Sequence, residues 1–267
     1  MNNKMNNEYN ILLVEDEQVV ADAASRILGS EGIHVDWVES AEIAFEKLIN
    51  NQYQLILSDL MLPGMSGIDF IAEVRKSDAM IPIIIITGYA SLANAVKSFK
   101  TGAFDFIPKP FDFEELAGVV YRAVNHIEMT KNSGAAQPPD GRKNTETKVE
   151  KYYFLGQHSW AKMDEDGVFM VGVGETFAGR MGTISSIELP SINDQISQGN
   201  LCVRIISKEY FNHVVWAPIS GKVVAINQQV ENNSDLVNSA PLSDGWLIKV
   251  VPTNLEKELE NLVVLQI

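Results

Sequence analysis

Apolar and polar residues alternate in two different ways along the chain, and the change comes near residue 130. Before it, short apolar runs predict five strands, at residues 10–14, 33–38, 54–58, 81–86 and 103–107. The amphipathic stretches between and after them predict helices at residues 17–30, 40–50, 67–76, 90–101 and 112–129. Because strands and helices alternate strictly and the strands are nearly all aliphatic, we expect an α/β fold with a five-stranded, doubly wound parallel sheet.

Residues 131–150 contain almost no apolar side chains, and glycine, proline, serine and asparagine occur throughout. This composition predicts a flexible linker between one domain at residues 8–130 and a second at residues 151–267. In the second domain, short β-like runs are broken by glycine, and the last periodic segment, residues 253–263, has a helical pattern. We therefore expect an all-β domain that closes with a helix.

The chain is acidic and carries a formal net charge of −14. Residues 1–130 hold 19 acidic and 9 basic residues, and the remainder holds 16 and 12. Since neither part has the basic stripe that contacts to a phosphate backbone require, we do not expect direct nucleic-acid binding. The one cysteine, Cys202, excludes an internal disulfide and fits a reducing compartment. No apolar run is long enough for a membrane span and the first residues lack a secretory signal, so we expect a cytoplasmic protein.

Residues with reactive side chains follow four of the five predicted strands. Glu15 and Asp16 follow the first strand, Asp59 the third, Thr87 the fourth and Lys109 the fifth. In a doubly wound parallel sheet these strand ends meet at one edge, where ligands bind. Clustered carboxylates suit Mg²⁺, and Asp59 would then be a nucleophile for a phosphoryl group. The alternative for any single acid is a solvated loop residue, but that explanation fits the complete set poorly.

The segments ILLVEDE, LILSDLMLPGMSGIDFI, IIIITGYAS and FIPKPF resemble the receiver domain of bacterial two-component response regulators over residues 9–129. The resemblance implies a flavodoxin-like fold in which a sensor histidine kinase phosphorylates Asp59 with Mg²⁺. It implies no conventional enzyme activity beyond phosphoryl transfer by the receiver and hydrolysis of the aspartyl phosphate. The segment is also similar to receivers of transcription activators that work with an ATPase module, yet no Walker A sequence and no helix-turn-helix follow. We therefore exclude a DNA-binding regulator.

The same resemblance assigns the metal ligands. It implies that Mg²⁺ is held by Glu15, Asp16, Asp59 and the carbonyl of Met61, with Asp16 a direct ligand.

The resemblance also implies catalytic and switch roles for Thr87, Lys109 and Phe106. It further implies a cis peptide before Pro110. Phe106 has a second open interpretation as a plain core ring. Phosphorylation is expected to act on the face around residues 90–110, through docking within the chain or through receiver-mediated homodimerisation.

Residues 152–263 resemble the glycine cleavage system H protein, a small lipoyl-carrying relative of lipoyl and biotinyl domains. The resemblance rests on three segments: HSWAKMDEDGVFMVGVGETF, GTISSIELPSINDQISQGN and APISGKVVAINQQVENNSDLVNSAPLSDGWLIKV. Within them GTISSI and GKVVAI form a weak internal repeat, which matches the pseudo-symmetry of that fold. The resemblance implies an all-β, lipoyl-domain-like sandwich with a C-terminal helix.

In the H-protein family the lipoyl lysine sits at a hairpin tip, eight residues before the proline of an Ala/Ser-Pro turn. Here that count from Pro218 falls on Tyr210, and an ungapped count from the Leu-Pro at 189–190 falls on Glu209. Lys208 misses both positions, and a slip of one residue reverses the direction of a strand side chain. We therefore expect Lys208 to be an exposed hairpin lysine, and we do not expect lipoate as a cofactor.

Three aromatic residues near the same hairpin, Tyr210, Phe211 and Trp216, have two open interpretations. They form either a surface that contacts a partner protein or part of the core. His158 and His213 are expected to be structural, since the spacing of a Cys/His metal site is absent around them.

Two functions fit these observations. The first is a response regulator whose degenerate H-protein-like domain serves as an output or partner-binding module. The second is a phosphorylation-gated lipoyl carrier linked to glycine cleavage or another lipoyl-dependent complex, which would need a lysine in the family register. A third idea, a receiver that acts only as an unregulated docking domain, conflicts with the intact acidic pocket.

Overall fold

The computed structural model describes residues 9–78, 80–88, 92–132, 150–164 and 167–266, with side chains at all of these except 92–96 and 132. By its internal contacts the chain divides into two compact units, Met1–Val120 with Ile206–His213 and Tyr121–Ile205 with Val214–Ile267. The predicted linker at 131–150 lies outside the described residues, apart from its first two residues and its last. None of the helices in the described ranges is long and apolar enough to cross a membrane.

The first part of the chain forms a five-stranded parallel sheet. Its strands are β1 (Asn10–Val14), β2 (His34–Val38), β3 (Leu55–Asp59), β4 (Ile83–Thr87) and β5 (Asp105–Pro108). The strand order is β2-β1-β3-β4-β5, and neighbouring strands are parallel. All residues of β3 and β4 are buried, as expected for central strands that are covered on both faces. The predicted doubly wound α/β fold is confirmed.

A helix follows each strand of this sheet: α1 (Gln18–Ser30), α2 (Ala41–Asn50), α3 (Gly67–Ser77), α4 (Leu92–Thr101) and α5 (Phe113–Asn132). Serine side chains begin two of them. The hydroxyl of Ser40 accepts the N–H of Ile43, and the hydroxyl of Ser66 accepts the N–H of Asp69. Helix α5 continues to Asn132 and so includes the first two residues of the segment predicted to be a linker.

The second part of the chain contains two sheets. The larger consists of β6 (Lys151–Leu155), β7 (Ser159–Met163), β8 (Phe169–Val173), β10 (Gln195–Ile196), β13 (Gly221–Ile226), β14 (Ile248–Pro252) and β15 (Val263–Gln266), in the order β10-β13-β14-β8-β7-β6-β15. The smaller consists of β9 (Ile184–Glu188), β11 (Leu201–Ser207) and β12 (Asn212–Trp216), in the order β12-β11-β9. The described pairings of the larger sheet are antiparallel. The predicted all-β character is confirmed.

In the described ranges, four short helices connect these strands: α6 (Glu175–Ala178), α7 (Gln228–Asn232), α8 (Asp235–Ser239) and α9 (Leu255–Leu259). The helix predicted at 253–263 is therefore present near the end of the chain but shorter, and its last predicted residue begins β15. The repeat segments GTISSI and GKVVAI supply β9 and β13, which lie in different sheets.

Trp160 is the centre of an aromatic cluster in this second part. Its side chain is fully buried, and its indole N–H donates to the carbonyls of Val173 and Pro241. The ring of Tyr152 packs edge-on against it at 5.2 Å between centroids. Gly172 passes so close that an added Cβ would lie 2.5 Å from the indole, so only glycine fits there. The His-x-Trp segment is therefore a core element.

Candidate functional site

The carboxyl ends of the parallel strands bring the predicted polar residues together. Asp59 is the last residue of β3 and Thr87 the last of β4, and their registers pair Asp59 with Ile86 and Thr87 with Pro108. The peptide between Lys109 and Pro110 is cis, as the family resemblance implies. The backbone N–H of Lys109 donates to the carbonyl of Thr87 at 2.8 Å, which fixes the chain just beyond β5.

Lys109 is the charged centre of the site. Its ammonium nitrogen lies 2.7 Å from Asp59 Oδ2, 2.8 Å from Glu15 Oε1 and 3.5 Å from Glu17 Oε1. Only 10% of the Lys109 side chain is exposed, and the carboxylates of Glu15 and Asp59 are buried. One cation therefore faces three acids, of which Glu15 and Asp59 are buried and Glu17 is exposed, and this leaves an excess of negative charge.

Burial and ion pairing act in opposite directions on the two coupled groups. Burial raises the pKa of the Glu15 carboxyl, and the hydrogen bond and charge of Lys109 offset this only in part. For Lys109 burial alone would lower the pKa, but hydrogen bonds and charges from Asp59 and Glu15 outweigh it, so the pKa is raised. Lys109 is therefore positively charged at neutral pH.

The acidic side of the site fits a hard divalent cation. Among the described residues, Glu15, Glu17 and Asp59 offer oxygen atoms that all lie within 4.8 Å of one another. Carboxylate oxygens are the ligands that Mg²⁺ prefers, and the excess negative charge calls for such an ion. The donor set thus agrees with the metal expected from the sequence.

This cluster differs from the predicted set of metal ligands at two acids: it includes Glu17, and it lacks Asp16. Glu17 lies in the cluster although the sequence reasoning did not single it out; the third consecutive acid in EDE was the available signal. Asp16 is exposed and lies outside the group. The backbone N–H of Met61 donates to Asp59 Oδ1 at 3.1 Å, which places Met61 beside the acid. Ligation by Asp16 and by the Met61 carbonyl stays a prediction.

The two predicted switch residues are both buried. Thr87 is fully buried at the end of β4, and Phe106, on the neighbouring strand β5, is 2% exposed. An inward ring at Phe106 is compatible with the switch and with the plain core interpretation.

The hairpin between β11 and β12 carries Lys208 in a four-residue loop, residues 208–211. The N–H of Ser207 donates to the carbonyl of Phe211 at 3.0 Å, and the N–H of Tyr210 donates to the carbonyl of Ser207 at 2.9 Å. Lys208 is exposed, and Tyr210 is 78% exposed with a left-handed φ of 66°. The exposed lysine of the sequence prediction thus lies beside a tyrosine that projects from the tip.

The other two aromatic candidates are buried. Phe211 and Trp216 are 8% and 5% exposed; the burial of Trp216 agrees with its core interpretation, and Tyr210 is the exposed residue of the three. His158 and His213 are also buried, and neither belongs to a metal-type cluster within the described ranges. The His158 ring packs on Phe177 with 4.0 Å between centroids, as expected of a structural residue.

Comparison with known families finds two matches. Residues 11–121 match the response regulator receiver domain, and residues 152–266 match the glycine cleavage H-protein. A Thermococcus kodakarensis protein named "Probable glycine cleavage system H protein" is 33% identical over 114 residues, which are 43% of this chain and 84% of that protein.

The receiver part has relatives among regulators and solved structures. The DNA-binding transcriptional regulator NtrC of Escherichia coli (strain K12) is 31% identical over 118 residues, 44% of this chain and 25% of NtrC. The chain thus spans about a quarter of the length of the NtrC regulators that it matches.

Two solved structures illustrate the likeness. A CheY-like response regulator receiver domain protein from Methanospirillum hungatei JF-1 is 29% identical and covers 48% of this chain and 100% of its own, with a TM-score of 0.43. NtrX from Brucella abortus, in complex with ADP, is 26% identical and covers 51% of this chain and 31% of its own, with a TM-score of 0.47. The chain belongs to the glycine cleavage H-protein family through residues 152–266, and its residues 11–121 are a response regulator receiver domain.

Proposed function

We propose that the protein is a cytoplasmic response regulator of a two-component phosphorelay, in which a sensor histidine kinase phosphorylates Asp59 with Mg²⁺. One observation carries the proposal: the Asp59 carboxylate is buried at the end of β3, bound to Lys109 at 2.7 Å and grouped with Glu15 and Glu17. A buried acid with a cationic partner and further acids for a metal is the arrangement that phosphoryl transfer requires.

Asp59 is the nucleophile in this proposal. A carboxylate oxygen of Asp59 forms a bond to phosphorus while the bond between phosphorus and the imidazole nitrogen of the kinase phosphohistidine breaks, and the electron pair leaves with the imidazole. Lys109 holds one oxygen of Asp59 and balances the added charge, and the backbone N–H of Met61 orients the other oxygen. Asp59 and the neighbouring acids would hold Mg²⁺, which would neutralise charge on the phosphoryl oxygens.

Phosphorylation changes the charge balance around Lys109 and Thr87. The phosphoryl group would add negative charge and acceptor oxygens beside the end of β4, whose last residue is Thr87. We infer that Thr87 and Phe106 transmit this change to the face around residues 90–110, by docking within the chain or receiver-mediated homodimerisation.

The H-protein-like domain acts in this proposal as a non-lipoylated module that binds a partner protein. Its hairpin tip supports this role, because the two family counts for the lipoyl lysine fall on Tyr210 and Glu209, neither of them a lysine, and Tyr210 is largely exposed. The second candidate, a phosphorylation-gated lipoyl carrier, is favoured by one observation: Lys208 is exposed in the same tip loop.

Phosphorylation by a small donor such as acetyl phosphate tests the first part. The full chain with Mg²⁺ is expected to gain one phosphoryl group, detected by a mobility shift on a phosphate-affinity gel, whereas Asp59→Asn and EDTA-treated protein gain none. Asp22→Asn, a change at an exposed acid of α1, serves as the matched control and retains the shift. Equal phosphorylation of Asp59→Asn would refute the assignment.

Mass spectrometry of protein purified from its own host tests the second part. We expect an intact mass without a lipoyl group and complete tryptic cleavage after Lys208. A lipoyl adduct on a peptide with a missed cleavage at Lys208 would instead make the protein a phosphorylation-gated carrier.

A further inference from the structure

Two hydrogen bonds join the acidic loop that follows β1 to the neighbouring strand β2. The N–H of Glu15 donates to the carbonyl of Val38 at 3.0 Å, and the indole N–H of Trp37 donates to the carbonyl of Glu15 at 2.7 Å. Within the loop, the N–H of Glu17 donates to Glu15 Oε1 at 3.2 Å. A tryptophan on the edge strand thus binds the backbone of the first acid in the site.

The position of Trp37 makes this bond specific. Trp37 pairs with Leu13 in the β1–β2 register, so its ring must extend two residues along the strand, about 7 Å, to reach Glu15. Only a long side chain with a donor near its far end can do this. The side chain is 37% exposed, so burial of apolar area alone does not account for a tryptophan here. If the Trp37 ring served only to cover β1, its N–H would bond to water.

We propose that Trp37 is a positioning residue for the acidic end of the phosphorylation site. The carbonyl of Glu15 and the N–H of Asp16 belong to one rigid peptide plane, so the indole bond fixes the direction in which Asp16 and Glu17 leave β1. The orientation of these acids determines how well they present oxygen atoms for a divalent cation beside Asp59. The inference rests on the proposed function, because it concerns the Mg²⁺ that serves Asp59.

Loss of this bond should act on metal affinity rather than on the chemistry at Asp59. Without it the Glu15–Asp16 peptide rotates more freely, and the acids must be ordered when the metal binds. We expect Mg²⁺ to bind about threefold to tenfold more weakly, the effect of one hydrogen bond. At saturating Mg²⁺ the rate of phosphorylation by acetyl phosphate should return close to that of the wild type, since Asp59 and Lys109 are unchanged.

The test uses the full chain and Mg²⁺ alone, with the dissociation constant measured by isothermal titration calorimetry. Trp37→Phe removes the donor and part of the ring. A second variant carries benzothienylalanine at position 37, which keeps the bicyclic shape but has sulfur in place of the N–H, so it separates the donor from packing. Tyr53→Phe is the matched control, because it removes a hydroxyl donor to Asp36, the residue beside Trp37 on β2.

Each outcome decides one question. Weaker Mg²⁺ binding in both Trp37 variants, with Tyr53→Phe unchanged, supports the positioning role. Wild-type affinity in the benzothienylalanine variant overturns it, whatever Trp37→Phe does. If the wild type and Asp59→Asn bind Mg²⁺ equally weakly, the proposed function itself fails, and that result is distinct because it does not involve Trp37.

Discussion

Tyr210 combines a strained backbone conformation with a side chain that is largely exposed. Its φ of 66° lies in the left-handed region, which costs a side chain with a Cβ about 1–2 kcal/mol, yet the ring is 78% exposed. We predict that Tyr210→Gly raises the free energy of unfolding by about 1 kcal/mol, because glycine adopts this conformation without strain. Urea unfolding followed by circular dichroism measures the change.

Lys208→Gly is the control for this prediction, since Lys208 lies in the same loop but has no left-handed φ. It should leave stability unchanged or lower it. If Tyr210→Gly lowers stability instead, the ring makes stabilising contacts and is not held available for a partner.

Some residue roles can be predicted from a local strand pattern, and others depend on contacts that form only in the folded protein. Asp59, Thr87 and Lys109 could be placed from the sequence because each follows a recognisable buried strand, and parallel strand ends meet at one edge. Glu17 and Trp37 could not, because their roles depend on side-chain directions that only the packed β1–β2 edge determines. The burial of Phe211 and Trp216 likewise depends on which face of the hairpin packs inward.

Helix α9 is tied to the turn that begins β13 by a buried polar network. Glu258, 4% exposed, accepts the N–H of Ser220 at 2.7 Å through its carboxylate, and its carbonyl accepts the side-chain amide of Gln198 at 3.0 Å. That amide also donates to the carbonyl of Pro218 at 2.8 Å. The network therefore fixes the short helix against the turn between β12 and β13.

We predict that Glu258→Ala lowers the free energy of unfolding by about 2 kcal/mol, because the half-buried N–H of Ser220 then loses its charged acceptor. Glu258→Gln should lose less, since its amide oxygen still accepts. Glu256→Ala, on the same helix but exposed, is the control and should change stability by under about 0.5 kcal/mol. Chemical denaturation measures all three, and equal losses for Glu256 and Glu258 would contradict the assigned role.

The elements of the receiver domain were predictable to within a few residues, because five-residue buried strands and longer amphipathic helices leave clear periodic patterns. The second domain was less so. Its helices α6, α7 and α8 are four or five residues long, too short for a helical period to appear. Strand β15 pairs with β6, so that Val263 lies opposite Phe154, and no local pattern reports a partner more than a hundred residues away.

At the scale of the whole molecule, the two family matches cover separate parts of one acidic chain. The NtrC regulators that it matches are described as DNA-binding, but the similarity covers only a quarter of their length and lies in the receiver part. The remaining part of this chain matches the glycine cleavage H-protein instead. The charge and surface of this chain itself therefore determine which class of partner it can bind.

We predict that the protein does not bind duplex DNA at physiological salt, whether phosphorylated or not. Non-specific binding to DNA depends on neutralising phosphates with lysine and arginine, and typical dissociation constants are about 10⁻⁴ to 10⁻⁶ M. A chain with a net charge of −14 must overcome repulsion before any contact forms, so its affinity should be weaker than this range. Phosphorylation at Asp59 adds further negative charge and cannot reverse the sign.

Fluorescence anisotropy of a short labelled duplex, with and without acetyl phosphate, measures this affinity. A lysine-rich peptide provides the positive control for the assay. Saturable binding with a dissociation constant of about 10⁻⁴ M or below that weakens steeply as salt rises would contradict the prediction, since it would require a local basic surface despite the negative net charge. A result without such binding leaves the proposed protein partner as the next output to test, and the exposed tip at Tyr210 is the first surface to mutate.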